Sequence, residues 1–177
     1  MNNHLTWRER LTNRFYAIPA VAQWWATRSA GRTQQLVDLS NGIPFARFTK
    51  ALARSRVALV TTAGVHLKSQ PPFDMVNPEG DATFRELPDT SARADMMITH
   101  KYYDHGDADR DLNVVFPLAH FHDLAQHGVI AELATRHFSF MGHIDAGQVA
   151  VLNDQTAPAM AAQLRRDGVD CAFLTPA

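Results

Sequence analysis

The chain has 177 residues, of which 46% are hydrophobic and 20% charged, and these values are typical of a globular protein with one buried core. They exclude a disordered or collagen-like chain. The single cysteine, Cys171, excludes an intrachain disulfide. No apolar run approaches the ~20 residues that span a bilayer, and residues 1–15 lack an apolar signal core. The sequence therefore predicts a cytoplasmic protein that does not enter a membrane.

The formal net charge of −1 conceals an asymmetry between the two parts of the chain. Residues 1–52 contain seven lysines and arginines against two acidic residues, whereas the rest contains ten against sixteen. We predict a basic helical arm over residues 1–52 and an α/β domain over residues 53–177. The acidic body argues against a nucleic-acid-binding protein. The aromatic residues of the arm are expected to dock it on the body, although they also suit a partner surface: Trp7, Phe15, Tyr16, Trp24 and Trp25.

Apolar residues in the arm recur at helical spacing between residues 6 and 37. The stripe consists of Leu11, Phe15, Ile18, Ala22 and Trp25. Pro19 removes a backbone donor and divides the region into two predicted helices. The turn at residues 40–44 is the predicted boundary between arm and body.

Short apolar runs alternate with helical patterns in the body. Strands are predicted at residues 57–62, 96–99, 129–140 and 169–174. Helices are predicted from Pro117 to Gly128 and from Thr156 to Gly168, and residues 68–89 form a long ordered loop. This alternation predicts an α/β protein with a doubly wound, mainly parallel sheet, Rossmann-like or flavodoxin-like.

Histidines lie at the expected carboxyl ends of three strands, where α/β sheets bind ligands. His66 follows the first strand, His100 ends the second, and the third carries His137 and the turn Met141–His143. Imidazoles that converge at one edge suit proton transfer to or from a substrate. Each histidine taken alone is more often a structural hydrogen-bonding residue.

Arg85 lies in the long loop and offers a guanidinium that can clamp a carboxylate through two parallel hydrogen bonds. In the alternative reading Arg85 pairs with Asp81, Glu86 or Asp89 and holds the loop together. Asp111 and Asn113 either belong to the site or cap the helix that follows.

No metal site is predicted. The histidines at positions 100, 105, 120, 122 and 127 lack a recognised ligand spacing, although a metal-dependent enzyme remains an alternative. The acidic run from Asp107 to Asn113 lacks the glycine and the closing glutamate of a calcium loop. Cys171 lies inside a predicted strand and is expected to pack in the core.

Six ordered segments carry a resemblance to a known family: ALVTTAGVHLKSQPPFD, GDATFREL, ITHKYYD, DRDLNVVFPL, HGVIAELATRHFSFMG and DGVDCAFLTP. The match as a whole runs from about Arg56 to Pro176. The set resembles the selenoprotein B subunits of the glycine, sarcosine and betaine reductases, including their shorter proline-reductase relative. Residues 1–55 are not placed by this resemblance.

The resemblance implies a reactive selenocysteine or cysteine directly after the strand that ends near Pro176. The carboxyl end of a parallel strand that leads into a helix suits an anionic chalcogen, because the free backbone N–H groups at the start of the helix stabilise the negative charge. The expected position of that residue is directly after Ala177. Since the codon for selenocysteine is also a stop codon, we expect a coding sequence read without recoding to stop there. The 177-residue chain alone is then expected to be inactive.

The family reaction, as the resemblance implies, is reductive cleavage of a C–N bond in substrates of the glycine, betaine, sarcosine or D-proline type. A pyruvoyl group on a partner subunit activates amine substrates, and a thiol or selenol carrier restores the chalcogen. We assign His66 and His100 to proton transfer or orientation and Arg85 to a substrate carboxylate. Tyr103, Asp111 and Asn113 are further candidates. The alternative functions are a non-catalytic binding subunit and a reductase with another substrate.

Overall fold

The computed structural model describes residues 18–21, 23–24, 27, 46–100 and 103–177. Contacts divide the chain into two compact units, Met1–Phe48 and Thr49–Ala177. In the first unit residues 19–21, 23–24 and 27 are helical. Residues 18 and 46–52 of the predicted arm are also described. Its other residues lie outside the described ones, and so do four of the five aromatic residues named for docking: Trp7, Phe15, Tyr16 and Trp25. Among the described helices, none is long and apolar enough to cross a membrane.

The described residues of the second unit form seven strands in two sheets. They are β1 Arg56–Thr61, β2 Val65–Leu67, β3 Arg85–Pro88, β4 Met96–Ile98, β5 Glu132–Leu133, β6 Arg136–Ser139 and β7 Cys171–Thr175. In the main sheet β5, β6 and β7 all run parallel to β1. Because β7 pairs with β1 along residues 57–61, β5 and β6 share the opposite edge of β1. The protein is therefore a mixed α/β fold with a mostly parallel sheet.

The strand predicted at residues 129–140 is two short strands, and a buried histidine explains the break. His137 is fully buried, and its Nδ1 accepts a hydrogen bond from the backbone N–H of Leu59 at 3.0 Å. The pairing of β1 with β5 ends at Val57 and its pairing with β6 begins at Val60. The imidazole thus replaces the backbone carbonyl of a neighbouring strand as the acceptor for Leu59. Without it, the buried backbone N–H of Leu59 would lack a hydrogen-bond partner.

Two strand predictions need correction. The loop predicted at residues 68–89 contains β3, which pairs antiparallel with β6 at the sheet edge. The strand predicted at 96–99 exists as β4, but it pairs antiparallel with β2 in a separate two-stranded sheet. Short apolar runs do not reveal their pairing partner, and Gly64 turns the chain out of the main sheet directly after β1.

Among the described residues 46–100 and 103–177 there are four α-helices. They are α1 Gly106–Arg110, α2 Leu118–Gln126, α3 Gly147–Val151 and α4 Ala157–Arg166. The predicted helix at 117–128 is confirmed as α2. Thr156 is not the cap predicted for the last helix, because a π-helical turn at Leu152–Thr156 joins α3 to α4 without a break.

Shorter 3₁₀ turns occupy Leu52–Arg54, Arg93–Asp95 and Leu112–Val114.

The core lies on both faces of β1, whose last five residues are buried. Leu59 packs with Phe116 and Leu118 on one face. Val60 packs with Phe138 on the other, where Leu164 of α4 covers the cluster. Burial on both faces accounts for the continuous apolar sequence of this strand, since successive side chains point to opposite sides.

We predict that Gly64→Ala lowers the free energy of unfolding by about 2–5 kcal/mol. Gly64 has a φ of +70°, and a β-carbon there would lie 2.3 Å from the Thr99 carbonyl oxygen. Gly128→Ala is the matched control, because Gly128 also has a φ of +70° but nothing lies within 4 Å of its β-carbon position. Its expected cost is about 1 kcal/mol. Urea denaturation measures both, and equal losses would contradict the role of close packing at Gly64.

Candidate active site

The carboxyl ends of β1, β6 and β7 lie together at one end of the main sheet. We call this region the rim. It comprises Thr62–Gly64 after β1, Phe140–Gly142 after β6, and Pro176–Ala177 after β7. Backbone hydrogen bonds join these ends, from Thr62 N–H to the Thr175 carbonyl (3.1 Å) and from Gly64 N–H to the Phe140 carbonyl (2.8 Å). In α/β proteins ligands bind at the carboxyl ends of the parallel strands.

His100 reaches the rim although its strand belongs to the small sheet. Thr99 N–H donates to the Gly64 carbonyl at 2.9 Å, which places the end of β4 against the end of β1. Gly142 has a φ of +87°, and a β-carbon there would lie 2.4 Å from the Thr62 carbonyl oxygen and 3.4 Å from Nε2 of His100. Only glycine permits the three segments to approach this closely.

The environment of His100 favours the neutral imidazole. The residue is 7% exposed, and its ring meets that of Tyr103 edge to face with centroids 4.6 Å apart. Burial, together with the nearby His143 and His105, lowers the pKa of His100 to about 4. At pH 7 the ring therefore offers one N–H donor and one acceptor nitrogen.

Tyr103 fixes the position of this imidazole. Its hydroxyl donates to the Ala63 carbonyl at 3.1 Å, which attaches the ring to the rim. Burial, with a smaller effect of Asp109, raises the pKa of Tyr103 to about 12, so the phenol stays protonated. The Tyr103 ring also contacts His105, whose Nδ1 lies 2.8 Å from Oδ2 of Asp109.

Two threonine hydroxyls hold the end of β7 at the rim. Thr61 and Thr175 both donate to the carbonyl of Val115, at 2.8 and 2.7 Å. Beyond the strand, the backbone N–H of Ala177 donates to Oγ1 of Thr62 at 3.1 Å. The chain after β7 therefore lies beside Thr62, whose carbonyl borders Gly142 and, through it, His100.

His66 lies in the small sheet with both ring nitrogens occupied. Nδ1 donates to the Leu67 carbonyl at 2.8 Å, so Nε2 accepts from the Thr99 hydroxyl at 2.7 Å. Burial is the main cause that lowers the pKa of this imidazole, and the charge of Arg85 adds to it. His66 thus contacts the residue before His100. His143 and His105 contribute to the lowered pKa of His100, whereas His137 lies inside β6 and not at its end.

Arg85 is engaged by its own loop. Its guanidinium donates to the carbonyls of Pro71 (2.9 Å) and Pro72 (3.0 Å) and lies 3.6 Å from Oδ2 of Asp81. It also stacks over the Phe73 ring, 4.2 Å from the centroid. These contacts include the Asp81 pair expected in the alternative reading of this residue, and its role toward a substrate carboxylate stays a prediction.

Asp111 and Asn113 lie apart from the rim, at a cavity of about 470 Å³ between α2 and the segment that precedes β4. Oδ1 of Asp111 accepts hydrogen bonds from the backbone N–H and the side-chain amide of Asn113, at 3.0 and 2.9 Å. These bonds are the first cause that lowers the pKa of Asp111. Oδ1 of Asn113 in turn accepts from Ala119 N–H at 3.3 Å, near the start of α2.

Asp89 and His122 line the same cavity, and Asp89 also lies close to the buried His137. Oδ1 of Asp89 lies 3.1 Å from Nε2 of His122 and 3.4 Å from Nε2 of His137. Because Nδ1 of His137 accepts from Leu59, its proton is on Nε2 and points to Asp89. Burial is the main cause that lowers the pKa of His137, so this ring too is neutral at pH 7.

The described residues contain no group of three or more histidine, cysteine or acidic side chains arranged to hold a metal ion. Cys171 is partly exposed in β7, and burial is the main cause that raises the pKa of its thiol. A raised pKa leaves little thiolate at pH 7, as is typical of a structural cysteine.

Sequence reasoning missed four residues that build the rim: Thr62, Val115, Gly142 and Thr175. The position of Gly142 in the sequence could have indicated its role, because a glycine directly after a strand often marks a close approach of two backbone segments. No sequence pattern indicates the roles of the two threonines and Val115, because these roles arise from contacts between segments that are distant in sequence.

Comparison with known proteins places the chain among reductase subunits. The family model described as glycine/sarcosine/betaine reductase selenoprotein B matches residues 31–177. The D-proline reductase subunit gamma of Acetoanaerobium sticklandii is 40% identical over 127 residues, which cover 72% of this chain and 50% of the relative. The chain thus spans about half the length of that relative. No solved structure matches the chain. On these matches, the chain belongs to the glycine/sarcosine/betaine reductase selenoprotein B family.

Proposed function

We propose that this chain forms part of a reductase subunit that cleaves a C–N bond of an amine or amino-acid substrate, and that the rim holds the substrate. The observation that carries the proposal is the buried, neutral imidazole of His100 beside the carboxyl ends of β1 and β6. The family match and the likeness to a D-proline reductase subunit support this reaction class.

Reductive C–N cleavage needs two electrons and protons for the carbon and the leaving nitrogen. A C–N bond breaks and a C–H bond forms, two electrons come from a thiol partner, and the nitrogen leaves as an amine that takes up a proton. His100, held neutral at pH 7, orients the substrate amine at the rim. Tyr103 is a positioning residue, because its hydroxyl is committed to Ala63 while its ring fixes the imidazole. A buried site strengthens such hydrogen bonds.

The other candidate residues have more distant roles in this proposal. His66 orients Thr99, the neighbour of His100, through the hydrogen bond between its Nε2 and the Thr99 hydroxyl, and its role in proton transfer stays a prediction. Arg85 binds a substrate carboxylate only if part of its guanidinium leaves the loop carbonyls. Asp111 and Asn113 act away from the rim.

We further propose that a selenocysteine or cysteine directly after the segment that follows β7 supplies the nucleophile. The residues present fit this placement, because Thr175 and Ala177 hold that segment beside Thr62. The expected coding sequence continues after the codon for Ala177 with an in-frame UGA or cysteine codon, and any other continuation contradicts this part of the proposal. We expect a pyruvoyl-bearing subunit and a thiol or selenol carrier as partners, in the cytoplasm.

Among the family's substrates we favour D-proline or a related cyclic imino acid, because the 40% identical relative is named for that reaction. Glycine, betaine and sarcosine are the other candidates. A non-catalytic binding subunit would share the fold and would form the same complex without turnover.

We predict that the stability of this protein rises with pH between about 4 and 6.5, in part through His100. The folded state holds His100 neutral down to a pKa of about 4, whereas the unfolded chain takes up a proton near pH 6.5. The unfolded state therefore binds more protons in this window, and acid lowers the free energy of unfolding. His100→Gln should remove up to about 3 kcal/mol of this pH dependence in urea titrations at pH 4.5 and 7.5. If the free energy of unfolding of the His100 variant depended on pH as strongly as that of the wild type, His100 would not be buried in its neutral form.

We predict that the complete subunit, assembled with its partner subunits and a dithiol, converts D-proline to 5-aminopentanoate. His100→Gln should lower kcat by about 10²-fold. His127→Gln should leave it unchanged, because His127 is exposed at the end of α2 and bonds only to the Asp123 carbonyl. Chromatographic detection of 5-aminopentanoate, trimethylamine, methylamine and ammonia separates the four substrates. Wild-type kcat in the His100 variant would contradict its role, and no turnover of the four substrates would overturn the reaction class.

A further inference from the structure

The reaction proposed for the rim needs a group that gives and regains a proton near neutral pH, and two rings already described there do not meet this need. Burial is the main cause that lowers the pKa of His100 to about 4 and raises the pKa of Tyr103 to about 12. At pH 7 His100 therefore carries no second ring proton, and Tyr103 does not release its own. The proton for the leaving nitrogen has to come from another residue beside this pair.

His105 lies next to the two rings. Its imidazole packs against the ring of Tyr103, with centroids 5.7 Å apart. Tyr103 contacts His100 through the same ring and donates its hydroxyl to the Ala63 carbonyl of the rim. The His105 side chain is 11% exposed, and its charge is one of the causes that lower the pKa of His100. His105 is thus connected to the rim through one aromatic ring and keeps some access to solvent.

Asp109 determines which nitrogen of His105 carries the proton of the neutral ring. Nδ1 of His105 lies 2.8 Å from Oδ2 of Asp109, four residues further along in α1. Because a carboxylate only accepts, Nδ1 is the donor. Nε2 has no hydrogen-bond partner among residues 46–100 and 103–177, so it is the nitrogen that can gain and lose a second proton. A carboxylate that fixes the tautomer of an imidazole in this way is a recurrent catalytic arrangement.

The other described histidines near the rim are arranged differently. Nε2 of His143 lies 2.9 Å from the Pro78 carbonyl and donates to it. His66 has a hydrogen bond at each ring nitrogen, and His137 lies inside β6. Among the residues that the structure describes beside the rim, His105 combines a carboxylate partner on one nitrogen with an open second nitrogen.

We propose that His105 is a catalytic residue that donates a proton to the leaving nitrogen, with Asp109 as its positioning residue. This inference rests on the reductase function proposed above. With D-proline bound as its neutral amine, attack of the chalcogenolate on carbon breaks the C–N bond. The electron pair of that bond passes to nitrogen, which takes the Nε2 proton of protonated His105.

The dithiol partner completes the proton and electron balance. It breaks the bond between chalcogen and carbon, regenerates the chalcogenolate and becomes a disulfide. One of its two protons goes to the carbon, and the other returns to Nε2 of His105. The substrate gains two electrons and two protons in total, which gives 5-aminopentanoate.

The test uses the complete subunit assembled with its partner subunits, a dithiol and D-proline. His105→Ala should lower kcat about 10²-fold, and added imidazole should raise the kcat of this variant at least about tenfold, because it replaces the missing proton donor. Asp109→Asn should lower kcat at least about tenfold and change KM less than about twofold, because it disturbs the orientation of the ring and no substrate contact.

His122→Ala is the matched control. Nε2 of His122 also faces a carboxylate, Oδ1 of Asp89 at 3.1 Å, but this pair lies at the cavity beside α2 and not at the rim. The control should have wild-type kcat, and imidazole should not change it. An equal loss of kcat in both histidine variants, or a loss in His105→Ala that imidazole does not restore, would overturn the proposal.

Nitrogen NMR of the 177-residue chain gives a second readout that needs no turnover. The neutral ring of His105 should carry its proton on Nδ1, and Asp109→Asn should remove this preference. A proton on Nε2 in the wild type would overturn the role of Asp109. Circular dichroism confirms that each variant is folded, and if His105→Ala does not fold, Asp109→Asn and the NMR measurement decide.

Failure of this inference can be told apart from failure of the proposed function. Turnover of D-proline that His105→Ala leaves unchanged would overturn the role of His105 and keep the reductase function. If the assembled wild type converted none of the four substrates, the reductase function and this inference would both be overturned.

Discussion

The close approach of three chain segments at the carboxyl end of β1 is the constraint on which the site depends. Gly64 and Gly142 both adopt positive φ, and a β-carbon at either position would overlap a backbone carbonyl of a neighbouring segment. With glycine at both positions, the end of the small sheet packs against the end of the main sheet. This contact brings His100 to the rim from outside the parallel sheet.

Burial at this junction decides the chemistry of the groups that meet there. His100 cannot be protonated at pH 7 without the cost of placing a charge in a dry site beside two other imidazoles. Tyr103 keeps its proton for the same reason. The rim thus presents neutral donors and acceptors with fixed positions, and catalysis there would rest on orientation more than on a fixed charge.

Buried polar groups also explain how the segments of the body are joined. The carbonyl of Val115 satisfies the hydroxyls of Thr61 and Thr175, and His137 satisfies the backbone of Leu59 at the break between β5 and β6. Each of these groups would be costly without a partner. The segment that holds the end of β7 also lines the cavity beside α2, through Leu112 and Phe116.

The sequence alone determined the features that depend on local pattern. The buried strand β1, the helix α2 with its glycine end, and the last strand β7 were all predicted, because apolar periodicity and turn residues act over a few neighbouring residues. His100 and Tyr103 were candidates because they follow a predicted strand. The tertiary structure alone decided the rest: that β4 pairs with β2, that β3 forms an antiparallel edge, and that Asp111 lines a separate cavity. Strand pairing and pocket formation depend on which distant segments satisfy each other's hydrogen bonds and apolar surface, and this information is not contained in any single stretch of sequence.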